Sequence, residues 1–295
     1  MNQQRIIRAE SDKPQISAPV SGTELNIGSG FEASSFKFNQ FGNLMDPIVM
    51  VDHYTMTSPT FGEHPHAGMS AVSVLFEDST GHFNNKDSLG NNIDLEPGDA
   101  YWLKAASGAL HDEKPTIDSV IHGLQIFVNL PRKNKFDEPD SLHVRNTEIP
   151  EIIGDRHRVR VVFGESNGIQ GASSPAMPLT ILDSYLEPEG SYKHAVEVDQ
   201  SLFIFAVNGD VSIDIDGESL PLNSQQSIAI HTGSKETTLT LSSMEKSHIV
   251  VFQGSPIRER FVQKGPFVMS SSDDLEAVTK AYQEGAFAST KRKSA

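Results

Sequence analysis

From about Phe31 to Asn129 the chain runs in short apolar or alternating stretches broken by Gly, Pro, Asn and Asp, as at Asp46 to Val51, Ser70 to Phe76 and Val120 to Asn129. This rhythm predicts the strands of a sandwich or barrel. It stops at Leu130-Pro131-Arg132-Lys133-Asn134-Lys135-Phe136-Asp137-Glu138-Pro139, a charged segment bracketed by prolines, which interrupt strand pairing. A domain connection is expected there, with the boundary between about 131 and 155 and a division into residues 1–145 and 146–295. The rhythm resumes at Val159 to Phe163, Leu179 to Leu186, Leu202 to Val207, Val211 to Ile215, Ser227 to Ile230, Thr237 to Leu241 and His248 to Phe252, so the second half also reads as all-β. Near the end, Ser272 is placed to cap a helix with Asp273 and Asp274 in its first turn, Leu275, Val278 and Tyr282 as its apolar stripe and Gly285 as its stop.

A faint repeat runs through the two halves. Phe76, Gly81, the turn Asp87-Ser88-Leu89-Gly90 and Leu95-Glu96-Pro97-Gly98-Asp99 echo Phe205, Gly209, Asp216-Gly217-Glu218 and Leu220-Pro221-Leu222. Two copies of one barrel explain such an echo. The length of 295 residues agrees with two cores, and 22 Gly with 16 Pro favour turns over long helices. A net charge of −15 repels nucleic-acid phosphates and anionic lipid, and the basic cluster Lys291, Arg292 and Lys293 reads as a solvated end. The absence of cysteine removes disulfides, thiolate ligands and cysteine nucleophiles. It fits a reducing compartment, and with no apolar run of membrane-spanning length the chain is read as a cytoplasmic protein.

Candidate chemistry concentrates in two segments. In Gly62-Glu63-His64-Pro65-His66-Ala67-Gly68, residues two apart on an extended chain share a face, so both imidazoles can reach one point. His111-Asp112-Glu113 repeats that spacing after the turn at Pro97-Gly98-Asp99 and the strand-like Ala100 to Leu103. Facing each other across a barrel, the segments would offer three nitrogens and one carboxylate oxygen, a set suited to Fe(II), Mn(II), Ni(II), Cu(II) or Zn(II). A lone His-x-His is more often a surface or turn feature; two such pairs separated by the strands and turn a barrel requires are less easily accidental. His53, His82, His122, His143, His157, His231 and His248 lack a partner at this spacing and read as surface or satisfied core residues, His82 being the best placed of them for a pocket role. The second half carries Tyr192-Lys193-His194 where a repeated pair would fall and no second His-x-Glu, so one metal per chain is expected.

These stretches, with Leu110-His111-Asp112-Glu113, His122-Gly123-Leu124-Gln125, Asn129-Leu130-Pro131-Arg132-Lys133 and Gly265-Pro266-Phe267-Val268-Met269, resemble the pirin family, a branch of the cupins, over nearly the whole chain. The resemblance implies an all-β bicupin: two jelly-roll-like β-barrels with a short C-terminal helix. It implies a metal, Fe(2+) before Mn, Ni, Cu, Co or Zn, on His64, His66, His111 and Glu113 in the N-terminal barrel. It also implies quercetin 2,3-dioxygenation, in which O2 opens a flavonol-like substrate, with Glu113 as ligand and candidate catalytic base. The alternative is a non-enzymatic, iron-dependent and redox-responsive regulator acting through a protein partner. The expected partners are a small aromatic or enolic substrate, O2 and, in the alternative, that regulatory protein, with no nucleic acid, no membrane and a monomeric chain. Ala67, Ser70 and Ser107 stand where the family commonly has Arg, Glu and Arg, so a changed pocket and substrate are expected.

Overall fold

The computed structural model describes residues 13–288. The chain forms two compact units. One combines residues 24–35, 48–146 and 259–288; the other combines 13–23, 36–47 and 147–258. The long central segments of the two units meet at Asn146/Thr147, while residues 13–23 and 36–47 group with 147–258 and residues 259–288 with 48–146. Gln15–Ile16 and Val20–Ser21 pair with Gln226–His231 in the second unit, and the C-terminal helix belongs with the first. The segment expected to be a connection is built into the first unit: Arg132–Asn134 is a short 3-10 turn, and Asp140–Val144 pairs with Ala100–Lys104.

Each unit is a large antiparallel sheet over a small one. In the first, the large sheet runs in the order Asp140–Val144, Ala100–Lys104, Met69–Leu75, Ile121–Asn129, Ile48–Met56, Phe31–Lys37, Thr23–Ile27, and the small one His64–His66, Ala109–Pro115, Phe83–Asp87, Asn92–Leu95. The second repeats the plan. Gln226–His231, Ser201–Asn208, Ser247–Gly254 and Leu179–Leu186 are central in its large sheet, and the small sheet runs Gly190–Val196, Thr237–Ser243, Val211–Ile215, Glu218–Leu222. Both small sheets therefore order their strands first, fourth, second, third, and the hairpins at 88–91 and 216–217 are the turns that echo in the sequence. The sheets do not close into barrels; they share cores as sandwiches do. Phe83, Leu95 and Ala109 meet Tyr54, Met56, Leu75 and Leu103 in the first unit, and Tyr192, Ile213 and Leu241 meet Ile204, Ile228 and Val251 in the second. Burying each large apolar side chain of this kind contributes about 1.5–3 kcal/mol.

The helix spans Ser272–Gln283, and its cap is Ser271 rather than Ser272. Ser271 is extended, and its Oγ accepts the backbone N–H of Asp274 at 3.1 Å. Val278 and Leu275 pack on Ala67, Phe267 and Met269, so the helix lies against the segment that follows the His64–His66 strand. Among the described residues no helix is long and apolar enough to cross a membrane.

Candidate metal centre

The short strand His64–His66 pairs antiparallel with Ala109–Pro115 so that His64 stands opposite His111 and His66 opposite Ala109. Period two then aims His64, His66, His111 and Glu113 at the same side of the small sheet. The loop behind is held rigidly. Gly68 has φ +72, and a Cβ there would sit 2.0 Å from the Val268 carbonyl oxygen, so only glycine serves. The buried Lys135 ammonium donates to the Gly68 carbonyl at 2.7 Å, the Val268 carbonyl at 2.8 Å and Asn129 Oδ1 at 2.5 Å. Burial lowers the Lys135 pKa to about 8.

The three imidazoles converge through their Nε2 atoms, at 2.9 Å from His66 to His111 and 2.9 Å from His111 to His64. Their donor atoms all lie within 4.8 Å of one another, and no other group of three potential ligands does so among the described residues. The His64 Nδ1–H donates to the Gly62 carbonyl at 2.8 Å, which leaves the Nε2 lone pair pointing inward. Burial, with the neighbouring imidazoles adding to it, lowers His66 to about 3 and His111 well below its ordinary value, so both rings are neutral at pH 7.

Glu113 lies beside this group, its Oε2 3.8 Å from His111 Nδ1, while its Oε1 accepts the Ser73 hydroxyl at 2.6 Å. Its carboxyl is pushed up to about 7, by burial first and by Asp112 in addition, with the Ser73 bond opposing. The site thus brings three imidazole Nε2 atoms together beside a carboxyl that is costly to ionise without a compensating positive charge. This donor set fits a divalent transition metal.

The histidines open on a cavity of about 140 Å³, lined also by Phe31, Met50, Asp52, Tyr54, Phe61, Gln125 and Phe127, with no lysine or arginine in its wall. Ala67, Ser70 and Ser107 do not line it, so the expected effect of these departures on the pocket is not realised by direct contact. His82 lies outside it as well, its Nδ1 3.2 Å from Glu96. Tyr54, Ser73 and Gln125 escaped the sequence reading; the one available signal was Ser73 on the otherwise apolar face of Met69, Ala71 and Leu75. Several other histidines have partners from distant strands. His122 Nε2 is 2.7 Å from His53 Nε2 with Asp78 on its other nitrogen at 2.9 Å, and His143 bonds Asp99 at 2.7 Å. Asp112 bonds Lys114 at 3.1 Å, away from the imidazoles.

Two sandwich units of one plan, the first with a histidine cluster between its sheets, define a bicupin of the metal-protein type. Family models agree with that architecture: the Pirin model matches residues 27–128, and the Pirin C-terminal cupin domain matches residues 181–288. The chain belongs to the pirin family. It is 32% identical to Pirin of Rattus norvegicus over 233 residues, covering 79% of each chain. It is 28% identical to a putative quercetin 2,3-dioxygenase of Pseudomonas aeruginosa over 82% of this chain and 87% of that one. Its fold matches a quercetin 2,3-dioxygenase of Acinetobacter baumannii with a TM-score of 0.82 at 22% identity, over 94% of this chain and 99% of that one. It also matches a bacterial pirin of Escherichia coli in complex with nickel(II), with a TM-score of 0.61 at 16% identity, over 82% of this chain and all (100%) of that one.

Proposed function

We propose that the protein is a metal-dependent dioxygenase of the quercetin 2,3-dioxygenase type, with one divalent metal, iron first, on His64, His66, His111 and Glu113. The observation that carries this reading is the convergence of three imidazoles, with the Glu113 carboxyl beside them, on a largely apolar cavity. A metal bound there supplies Lewis acidity toward the substrate's enolic oxygen. The chain's own groups do the rest. Glu113, beside His111 at the cavity, is placed to accept the enol proton, and the Ser73 hydroxyl holds it in position. Phe127, Phe61 and Met50 present apolar walls to an aromatic ring and keep bulk water from the reacting carbons. In the overall reaction a flavonol and O2 give a ring-opened ester and carbon monoxide, so every oxygen atom is accounted for without another reductant. A cysteine-free chain suits the reducing cytoplasm, where iron stays ferrous.

The test is oxygen uptake by the Fe(II)-loaded chain with and without quercetin, beside metal-depleted protein and His64→Ala. Uptake that needs quercetin, metal and His64 supports the reading. A chain that binds one metal and consumes no oxygen contradicts it. Glu113→Gln should keep metal at reduced affinity and lower turnover; unchanged turnover at full occupancy removes the base role.

One observation favours a second reading. The cavity of about 140 Å³ is well below the roughly 300–1,000 Å³ usual for drug-sized ligands, and the half-exposed Phe61 stands at its edge. A regulator whose iron state is read by a protein partner needs no room for three rings. A complex recovered from extract and lost on oxidation of the iron would select that reading.

A further inference from the structure

The second unit contains a cavity of about 890 Å³ that the dioxygenase reading does not use. Matching the hydrogen-bonded registers of the two small sheets shows what it replaces. His64 stands opposite His111, and in the second unit Tyr192 stands opposite Leu241. His66 opposite Ala109 becomes His194 opposite Leu239, and Glu113, two residues beyond His111, becomes Ser243. Across the sandwich the two imidazoles meet different neighbours: the His66 ring packs on Phe127 at 5.1 Å between centroids, whereas His194 Nε2 contacts Gln253 Oε1 at 2.6 Å. One imidazole survives from the ligand set, and the positions of the third histidine and the glutamate hold leucine and serine. The place is no metal site.

What it holds instead is a chain of hydrogen bonds with a defined direction. Gln253 Oε1 can only accept, so the proton of His194 is on Nε2, and burial keeps the ring neutral. Its Nδ1 therefore accepts from the Ser166 hydroxyl at 2.7 Å, Ser166 accepts from the Tyr192 hydroxyl at 2.6 Å, and Asn167 Nδ2 donates to Tyr192 at 3.2 Å. Ser166 and His194 are buried at 1% and 2% exposure, yet both line the cavity. Gln253 lines the cavity with its oxygen engaged by His194, and its amide N–H groups are the donors it has left to offer an occupant. Around the wall, Glu165, Glu197 and Glu236 present acceptors and no lysine or arginine is present, while Val196, Leu179 and Met177 give apolar surface. Such a wall disfavours anions and suits a molecule with hydroxyl or ammonium donors, an oxygen acceptor and C–H faces. The volume lies in the range of drug-sized ligand sites.

The geometry points to a second, metal-independent binding site in the C-terminal unit for a neutral or basic sugar-like polyol, floored by Ser166, His194 and Gln253. The test is ligand-observed NMR on the full metal-loaded chain at pH 7 with glucose, glucosamine and glucuronate as probes, repeated on Ala172→Trp, which sets a bulky ring in the cavity wall, and on His66→Ala. The expected result is saturable binding of glucose or glucosamine. It should be at least about tenfold weaker in Ala172→Trp and unchanged in His66→Ala, with glucuronate about tenfold weaker than glucose. The charge series needs no variant, so a misfolded Ala172→Trp leaves the test intact. No saturable binding of glucose or glucosamine up to roughly 10 mM, equal binding of glucuronate, or loss of binding in His66→Ala would overturn the proposal.

Discussion

The two units share a strand order, yet they treat their inward positions in opposite ways. In the first, His64, His66 and His111 turn three lone pairs to one point and leave Glu113 needing a positive charge. In the second, Tyr192, His194, Leu241 and Ser243 occupy those places, and the surviving imidazole spends both nitrogens on Ser166 and Gln253. The difference teaches that the scaffold supplies convergence while the residue types decide whether the convergence is left open to a cation or closed by internal hydrogen bonds. Three changed side chains alter the chemistry without changing the fold.

The comparison is most severely strained by removing the ion network that the second unit does bury. Arg160 and Asp183 are fully buried at 2.6 Å, with His248 Nε2 on the other carboxylate oxygen at 2.5 Å. Burial raises the Asp183 pKa, and the His248 and Arg160 side chains beside it outweigh that, so the carboxyl stays below its usual range. Asp183→Ala leaves Arg160 without its buried counter-charge and should cost about 3–5 kcal/mol in denaturant unfolding. A loss below about 1 kcal/mol would show that the pair is not a structural element of that unit.

A smaller effect is expected in pH. Because Glu113 is raised to about 7 and a ligand must be deprotonated to bind, apparent metal affinity should fall about tenfold per unit as pH drops below about 7. Glu113→Gln should flatten that slope in competition titrations against a chelator, and an unchanged slope would remove Glu113 from the ligand set. In the metal-free chain the sign for stability is the reverse. A raised carboxyl favours the folded state below its unfolded value of 4.5, and that contribution is lost as pH rises to about 7. His66, lowered to about 3, contributes above its unfolded value of 6.5 and loses that contribution as pH falls toward 3.

The smallest change probes the support of the site. Ser73→Ala removes the one hydrogen bond that lowers the Glu113 pKa. It should move the pH midpoint of metal uptake upward by an amount worth about 1 kcal/mol, with global unfolding nearly unchanged. A midpoint that stays fixed would mean that Ser73 does not orient the carboxylate.

The convergence of His64, His66 and His111 was legible in the sequence because period two on a strand makes i and i+2 neighbours in space, and His-x-His states that geometry directly. The cavity wall was not. Met69–Leu75 is buried along its whole length, so no alternation marks the face on which Ser73 stands, and Tyr54 and Gln125 reach the site only through sheet pairing. The placement of the ends was hidden by distance, since Gln15 pairs with His231 across more than two hundred residues. Lys135 sat in a run of charge that ordinarily means a solvated loop, and only the fold reveals the three acceptors that receive it.

The most direct test of the account is metal stoichiometry on the purified chain loaded with Fe(II) or Zn(II) under anaerobic conditions, measured beside His66→Ala and His194→Ala. The account predicts one equivalent in the wild type and in His194→Ala and none retained by His66→Ala after desalting. Two equivalents in the wild type, or a His66→Ala chain that keeps its metal while His194→Ala loses it, would contradict the assignment of the metal to the first unit.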